Sequence, residues 1–108
     1  MIYEIASLPI HPDRIERFKQ AFATVEPLLT RAKGYGGHTL AQGIETPAVF
    51  NLIVRWATLE DHSPGFEESE DHRVFMLGLE EYFSEEPRVY HLEGAGFSSG
   101  GFGDGHAG

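Results

Sequence analysis

The chain of 108 residues contains no cysteine, which excludes disulfide scaffolds, thiolate metal sites and cysteine nucleophiles. Basic residues are scarce, 8 Lys and Arg against 17 Asp and Glu, for a formal net charge of −9. The deficit is concentrated in residues 59–93, which hold two basic and eleven acidic side chains. Phosphate recognition depends on clustered Lys and Arg, so nucleic-acid binding and attachment to an anionic membrane are disfavoured. Long apolar runs are also missing. Glu4 already interrupts the early run Met1-Ile2-Tyr3, and nothing approaches the roughly 18 apolar residues of a membrane span. The expectation is a soluble, cytoplasmic protein. Its length suits one domain and leaves too little chain for two cores.

What is present is a hydrophobic content of 41% with 8 Phe, 4 Tyr and 1 Trp, arranged in readable periods. Residues 2–9 are β-branched and aromatic enough for a strand closed by Pro9. Pro12 and Asp13 suit a helix start, and Ile15, Phe18, Phe22, Val25 and Leu29 then recur at three- and four-residue steps on one face. Pro27 removes a backbone donor and predicts a kink or a tightened last turn before Gly34 ends the helix. Residues 35–43 read as a second strand with a bulge at Gly36-Gly37. In residues 49–56 the even positions are large and apolar and the odd ones include Asn51 and Arg55, which predicts a strand with one core face.

Thr58-Leu59-Glu60-Asp61 has the form of a capping box with Asp in the last place, opening a short helix that Pro64-Gly65 interrupts. A further helix restarts near Ser69, with Phe75, Leu79, Tyr82 and Phe83 as its buried stripe. Residues 87–93 form a last strand. Residues 94–108, with seven glycines, read as a flexible tail outside the 1–93 domain. The order β-α-β-β-α-β predicts an α+β, ferredoxin-like domain with a four-stranded antiparallel sheet and helices on one face. The other sheet face then has no third layer, and pairing with a second copy would cover it.

The run from Ile44 to Glu93 resembles the antibiotic-biosynthesis-monooxygenase (ABM) family of dimeric α+β barrels. The resemblance rests on Trp56, Leu59, Glu60, His62, Gly65, Phe66, Ser69, Pro87, Val89 and His91, with Gly34-Tyr35 and His38 at a typical helix-to-strand turn. It implies a homodimer that holds a small aromatic or polyphenolic molecule between helices and sheet. The substrate is deprotonated and oxidised by O₂ with no metal or flavin cofactor. Such a site needs an aromatic wall, a proton acceptor and a donor for the developing anion. Trp56, Phe66, Phe75 and Tyr82 are candidates for the wall, His62 or His72 for the base, and Arg55, Asn51 or Tyr35 for the donor.

Competing readings stand beside this one. Trp56 can be core packing, His62 can answer the helix dipole and its acidic neighbours, and Asn51 with Arg55 can be an interface pair. A non-catalytic dimeric module that binds an apolar ligand or serves in stress is the alternative function, and docking of a basic protein on the acidic helices or tail is a third. Haem degradation is a minor option. The side chains that haem-degrading relatives require map near Ile5, Phe66 and Met76, none of which fits, and only His72, one turn before Met76, could reach an iron. The repeated triplets Glu60-Asp61-His62 and Glu70-Asp71-His72 lack metal-ligand spacing, and Asp104 and His106 fall in the tail, so no metal site is expected. The acidic residues of 59–93 are expected to coat the outer helices in solvent.

Overall fold

The computed structural model describes residues 1–96. Strand β1 (Ile2–Pro9) leads through a tight turn at Pro12–Arg14 into α1 (Ile15–Thr30). Strands β2 (Tyr35–Gln42) and β3 (Val49–Trp56) follow, then an irregular helical segment at Asp61–Phe66, α2 (Glu70–Leu77), a single turn at Glu80–Tyr82 and β4 (Arg88–Glu93). The sheet has the order β2-β3-β1-β4 with every pair antiparallel. This is the α+β, ferredoxin-like arrangement expected from the element order.

Strand alternation decides which residues meet the helices. Phe50, Leu52, Val54 and Trp56 of β3 and Ala6 and Leu8 of β1 are buried, and they receive Phe18, Phe22, Val25 and Leu29 of α1. Phe18 and Phe50 lie with ring centroids 5.0 Å apart, and burying each such side chain contributes roughly 1.5–3 kcal/mol. The opposite face carries Tyr3, Ile5, Asn51, Ile53, Arg55, Tyr90 and Leu92, since these pair across the ladders one residue out of phase with the core set. No helix of the described residues packs there, and Tyr90 and Leu92 are 53% and 51% exposed.

Helix α1 continues through Pro27, and its end tightens where the Ala32 N–H donates to the Leu29 carbonyl at 3.1 Å. Gly34 then takes a φ of +83°, and a Cβ there would collide with the Asp61 side chain. The expected bulge lies where the β2–β3 register shifts between Tyr35 and His38. The Arg55 guanidinium donates to the exposed Gly36 carbonyl at 2.8 Å.

The second helix departs from expectation. A single helix from Ser69 through Phe83 is replaced by eight residues, a break at Gly78 and a separate turn. At Gly78 the chain comes so close to Val25 that no side chain fits. Beyond it the Tyr82 carbonyl accepts from His11 N–H at 2.9 Å and Ser84 N–H donates to the Pro9 carbonyl at 2.9 Å. The end of β1 thus captures backbone groups that a longer helix would have kept. The last strand begins at Arg88, one residue later than expected, because Pro87 has no N–H for the ladder. The tail lies outside the described residues from position 97 onward. Within the acidic stretch Glu60, Glu68, Glu70, Glu80 and Glu81 are exposed, while Asp71 forms a 2.7 Å ion pair with Arg31.

Candidate active site

Glu4 occupies a core-facing position of β1, between Ile2 and Ala6, and is 7% exposed. The β1 ladders set Val54 and His91 directly across from it. A carboxyl group in such a place must find donors. Trp56, fully buried at the end of β3, donates its indole N–H to Glu4 Oε1 at 3.0 Å. His62 stacks on the Trp56 ring, with centroids 5.3 Å apart and planes at 23°. Its Nε2 lies 3.3 Å from the same Glu4 oxygen and its Nδ1 lies 2.8 Å from His91 Nε2. The irregular segment Asp61–Phe66 puts His62 there. Thr58 Oγ1 accepts the Asp61 N–H and starts a turn that breaks at Ser63, pressing the imidazole of His62 inward.

Burial dominates the electrostatics. It raises the Glu4 pKa to about 7, against the lowering effect of the Trp56 hydrogen bond, with Glu67 adding a further upward push. Burial first, and then His91, lowers the His62 pKa to about 4. Although Glu4 and His62 touch, they are therefore not an ion pair at neutral pH, where His62 is uncharged and Glu4 is close to half-ionised. His72 is likewise held below the ordinary histidine range by burial, with Glu67 opposing.

Glu4 and His62 line a cavity of 210 Å³ between the sheet and α2. Its walls are mainly apolar, including Leu52, Phe66, Phe75, Met76 and Leu79. The other polar residues along it are Glu67, His72 and Glu86, and no Lys or Arg lines it. Ser69 caps α2 by accepting the His72 N–H at 3.1 Å. The His72 ring lies parallel to Phe75 and edge-on to Phe66. The repeated Glu-Asp-His triplets thus deliver both histidines to one cavity.

The structure gathers four of the sequence-derived candidates, His62, Phe66, His72 and Phe75, around this cavity. Trp56 stands behind them, positioning Glu4 and His62 rather than forming the wall. Tyr82 packs edge-on against Phe18, away from the cavity. Arg55 and Asn51 share one strand face as expected, but it is the face opposite the cavity. Tyr35 hydrogen-bonds His38 at 2.5 Å in a separate cluster. Ile5 also faces away from the cavity, and Phe66 and Met76 border it. The two nitrogens of His62 point to different partners, and among the described residues no three His, Asp or Glu side chains converge as a metal site. Glu4 and Glu67 were not singled out as site residues in the sequence, Met76 entered only through the haem comparison, and His91 only through the family pattern. The signal for Glu4 was its parity, a lone carboxylate in the apolar series Ile2, Ala6, Leu8.

A split β-α-β sheet with a cavity beneath its second helix and one free face defines a small α+β domain that encloses a cavity between sheet and helices. Comparison with known proteins makes the assignment specific: the antibiotic biosynthesis monooxygenase family model matches residues 1–77, and the chain belongs to that family. It is 32% identical over 93 residues to the uncharacterized protein YczJ of Bacillus subtilis, covering 86% of this chain and 98% of that one. A Bordetella bronchiseptica protein that carries the antibiotic biosynthesis monooxygenase name superposes with a TM-score of 0.83 at 35% identity, covering 87% of this chain and 96% of that one. SnoaB, a cofactor-independent oxygenase from Streptomyces nogalater, shares the fold with a TM-score of 0.77 at 12% identity, covering 91% and 96% of the two chains.

Proposed function

We propose that this protein is a cofactor-independent monooxygenase of the ABM type, acting in the cytoplasm on a small aromatic or polyphenolic molecule. The observation that carries this reading is the cavity itself, an aromatic-walled space lined by three carboxyl groups, of which only Glu4 is buried, by two imidazoles, and by no Lys or Arg. An apolar hole of roughly 150 Å³ accepts benzene, so 210 Å³ holds one substituted ring. The open side beside the exposed Glu67 and Glu86 leaves room for a larger molecule to extend outward. In the reaction an activated ring methylene or hydroxyl loses a proton, and the anion passes an electron to O₂. The two radicals combine, and loss of water leaves a carbonyl. Across a methylene the balance is CH₂ + O₂ giving C=O + H₂O. The chain's part is to hold the ring against the Phe66 and Phe75 wall, to exclude water, and to move protons through Glu4, His62 and His72.

The free sheet face supports a homodimer. Ile5, Ile53, Tyr90 and Leu92 form an apolar centre that Asn51 and Arg55 flank, the composition of an interface core with polar specificity at its edge. Sedimentation at micromolar concentration is expected to give twice the 12.0 kDa chain mass.

An oxygen electrode with a panel of hydroquinones and anthrones tests the activity. O₂ uptake in equal amount to substrate, lost in a variant whose cavity is filled by Leu79→Trp, is the expected result. Saturable binding with no O₂ uptake would instead assign the cavity to a ligand-binding module.

A further inference from the structure

We propose that Glu4 is the catalytic residue that takes the substrate's proton, and that His62 and His91 return that proton to solvent. The substrate class is the weakly acidic, uncharged ring of the reading above, on which this inference rests. Three features of the cavity single Glu4 out. Its Oε1 takes both protein contacts, from Trp56 and His62, which leaves Oε2 for the cavity that Glu4 lines. The two ring nitrogens of His62 point at protein groups, Nδ1 hydrogen-bonded to His91 and Nε2 facing Glu4 Oε1 at 3.3 Å, so neither is turned toward a substrate. The Trp56 and His62 rings fix the carboxyl in place, and a positioned base of this kind contributes more than a mobile one.

The transfer is simple in its balance. The substrate O–H or C–H bond breaks, the proton goes to Glu4 Oε2, and the electron pair stays on the ring as phenolate or carbanion. To reset, product release frees the carboxyl to turn its protonated oxygen to His62 Nε2, which takes that proton as His62 Nδ1 passes its own to His91 Nε2, 2.8 Å away. His91 gives a proton to water, and water-borne return of a proton from Nε2 to Nδ1 restores the starting tautomer of His62. His91 lies on the edge strand β4 and is partly exposed, so the chain ends at water. The groups facing Glu4 are Trp56 from β3, His62 and Glu67 from the segment after it, His72 from α2 and His91 from β4. Burial, against the Trp56 hydrogen bond and with a further push from Glu67, raises its pKa to about 7, where a general base is most effective near neutral pH. His72, on the α2 wall, is the rival acceptor.

Proton abstraction can be read without oxygen. The probe is 2-indanone, incubated anaerobically in D₂O with the full-length protein, its methylene protons followed by NMR. Wild type is expected to accelerate exchange with a midpoint near pH 7. Glu4→Gln, which keeps an acceptor for Trp56, is expected to reduce that acceleration by at least ~100-fold with ligand binding retained. His91→Phe is expected to bind equally and exchange several-fold more slowly. Wild-type exchange no faster than buffer overturns the proposal, as does Glu4→Gln exchanging at the wild-type rate, or loss of exchange in His72→Gln alone. Should Glu4→Gln fail to fold, a wild-type exchange profile without the midpoint near pH 7 overturns it equally. Exchange without O₂ uptake in air keeps Glu4 as the base and removes the oxygenase reading. O₂ uptake that persists in Glu4→Gln does the reverse.

Discussion

Two chains of carboxyl and imidazole groups lie along one small sheet, and they differ in what surrounds them. At the β2 edge, Glu26 Oε2 meets His38 Nε2 at 2.6 Å and His38 Nδ1 meets the Tyr35 hydroxyl at 2.5 Å. In the middle of the sheet, Glu4 meets His62 at the longer distance of 3.3 Å. By hydrogen-bond length alone the first cluster looks the stronger site. Yet the Glu26 side chain is 40% exposed and that of Glu4 only 9%. Water reaches the first and has been removed from the second, where burial moves the proton affinity of Glu4 to the neutral range. Desolvation, more than contact distance, separates the two carboxyl groups.

The largest expected effect that bears on this comparison is on Trp56, which supplies the one hydrogen bond that opposes the desolvation of Glu4. Trp56→Ala removes a fully buried ring and leaves that carboxyl without its donor. A loss of ~3–5 kcal/mol in urea unfolding is expected.

The next effect is one of pH. Glu4 binds its proton more tightly folded than unfolded, so its contribution to stability is complete below pH 4.5 and is lost as pH rises to about 7. His62 binds its proton less tightly folded than unfolded, so its contribution is complete above pH 6.5 and is lost as pH falls to about 4. Across the shared window the two trends oppose and nearly cancel in the wild type. Glu4→Gln unmasks the His62 trend, and its stability relative to wild type is expected to climb from pH 4.5 to 7 by on the order of 3 kcal/mol. Unfolding midpoints measured at half-unit pH steps will show this. A difference that stays flat with pH would place Glu4 in the same class as Glu26.

The smallest effect is expected at the other cluster. Glu26→Gln should cost only ~0.2–1 kcal/mol, because the carboxylate it replaces is 40% exposed and screened by water. Binding of an aromatic ligand, followed by NMR, should be unchanged, since Glu26 does not line the cavity beneath α2. A larger effect on binding than that of Glu4→Gln would invert the comparison.

The same contrast explains what could be read in the chain beforehand. The strands and α1 were legible because their apolar periods of 2 and 3.6 are a local property of adjacent residues. The end of α2 was not, because it depends on Val25 crowding Gly78 and on His11, just beyond β1, binding the Tyr82 carbonyl, neither of which is local. His62, His72, Phe66 and Phe75 could be named from residue type and family pattern. Arg55 and Asn51 drew attention through the same type argument, but the parity of β3 sends them to the other face. Glu4 was visible only as a break in the alternation of β1, and its meaning depends on His91, which the β1–β4 ladder brings opposite it from 87 residues away.

One measurement tests the account at its centre. In carboxyl-labelled protein, a ¹³C NMR titration is expected to show one Glu resonance with a midpoint near pH 7 that vanishes in Glu4→Gln. A Glu4 resonance titrating at the ordinary value of 4.5 would mean that the carboxyl is solvated, and would contradict its assignment as the buried proton acceptor of the cavity.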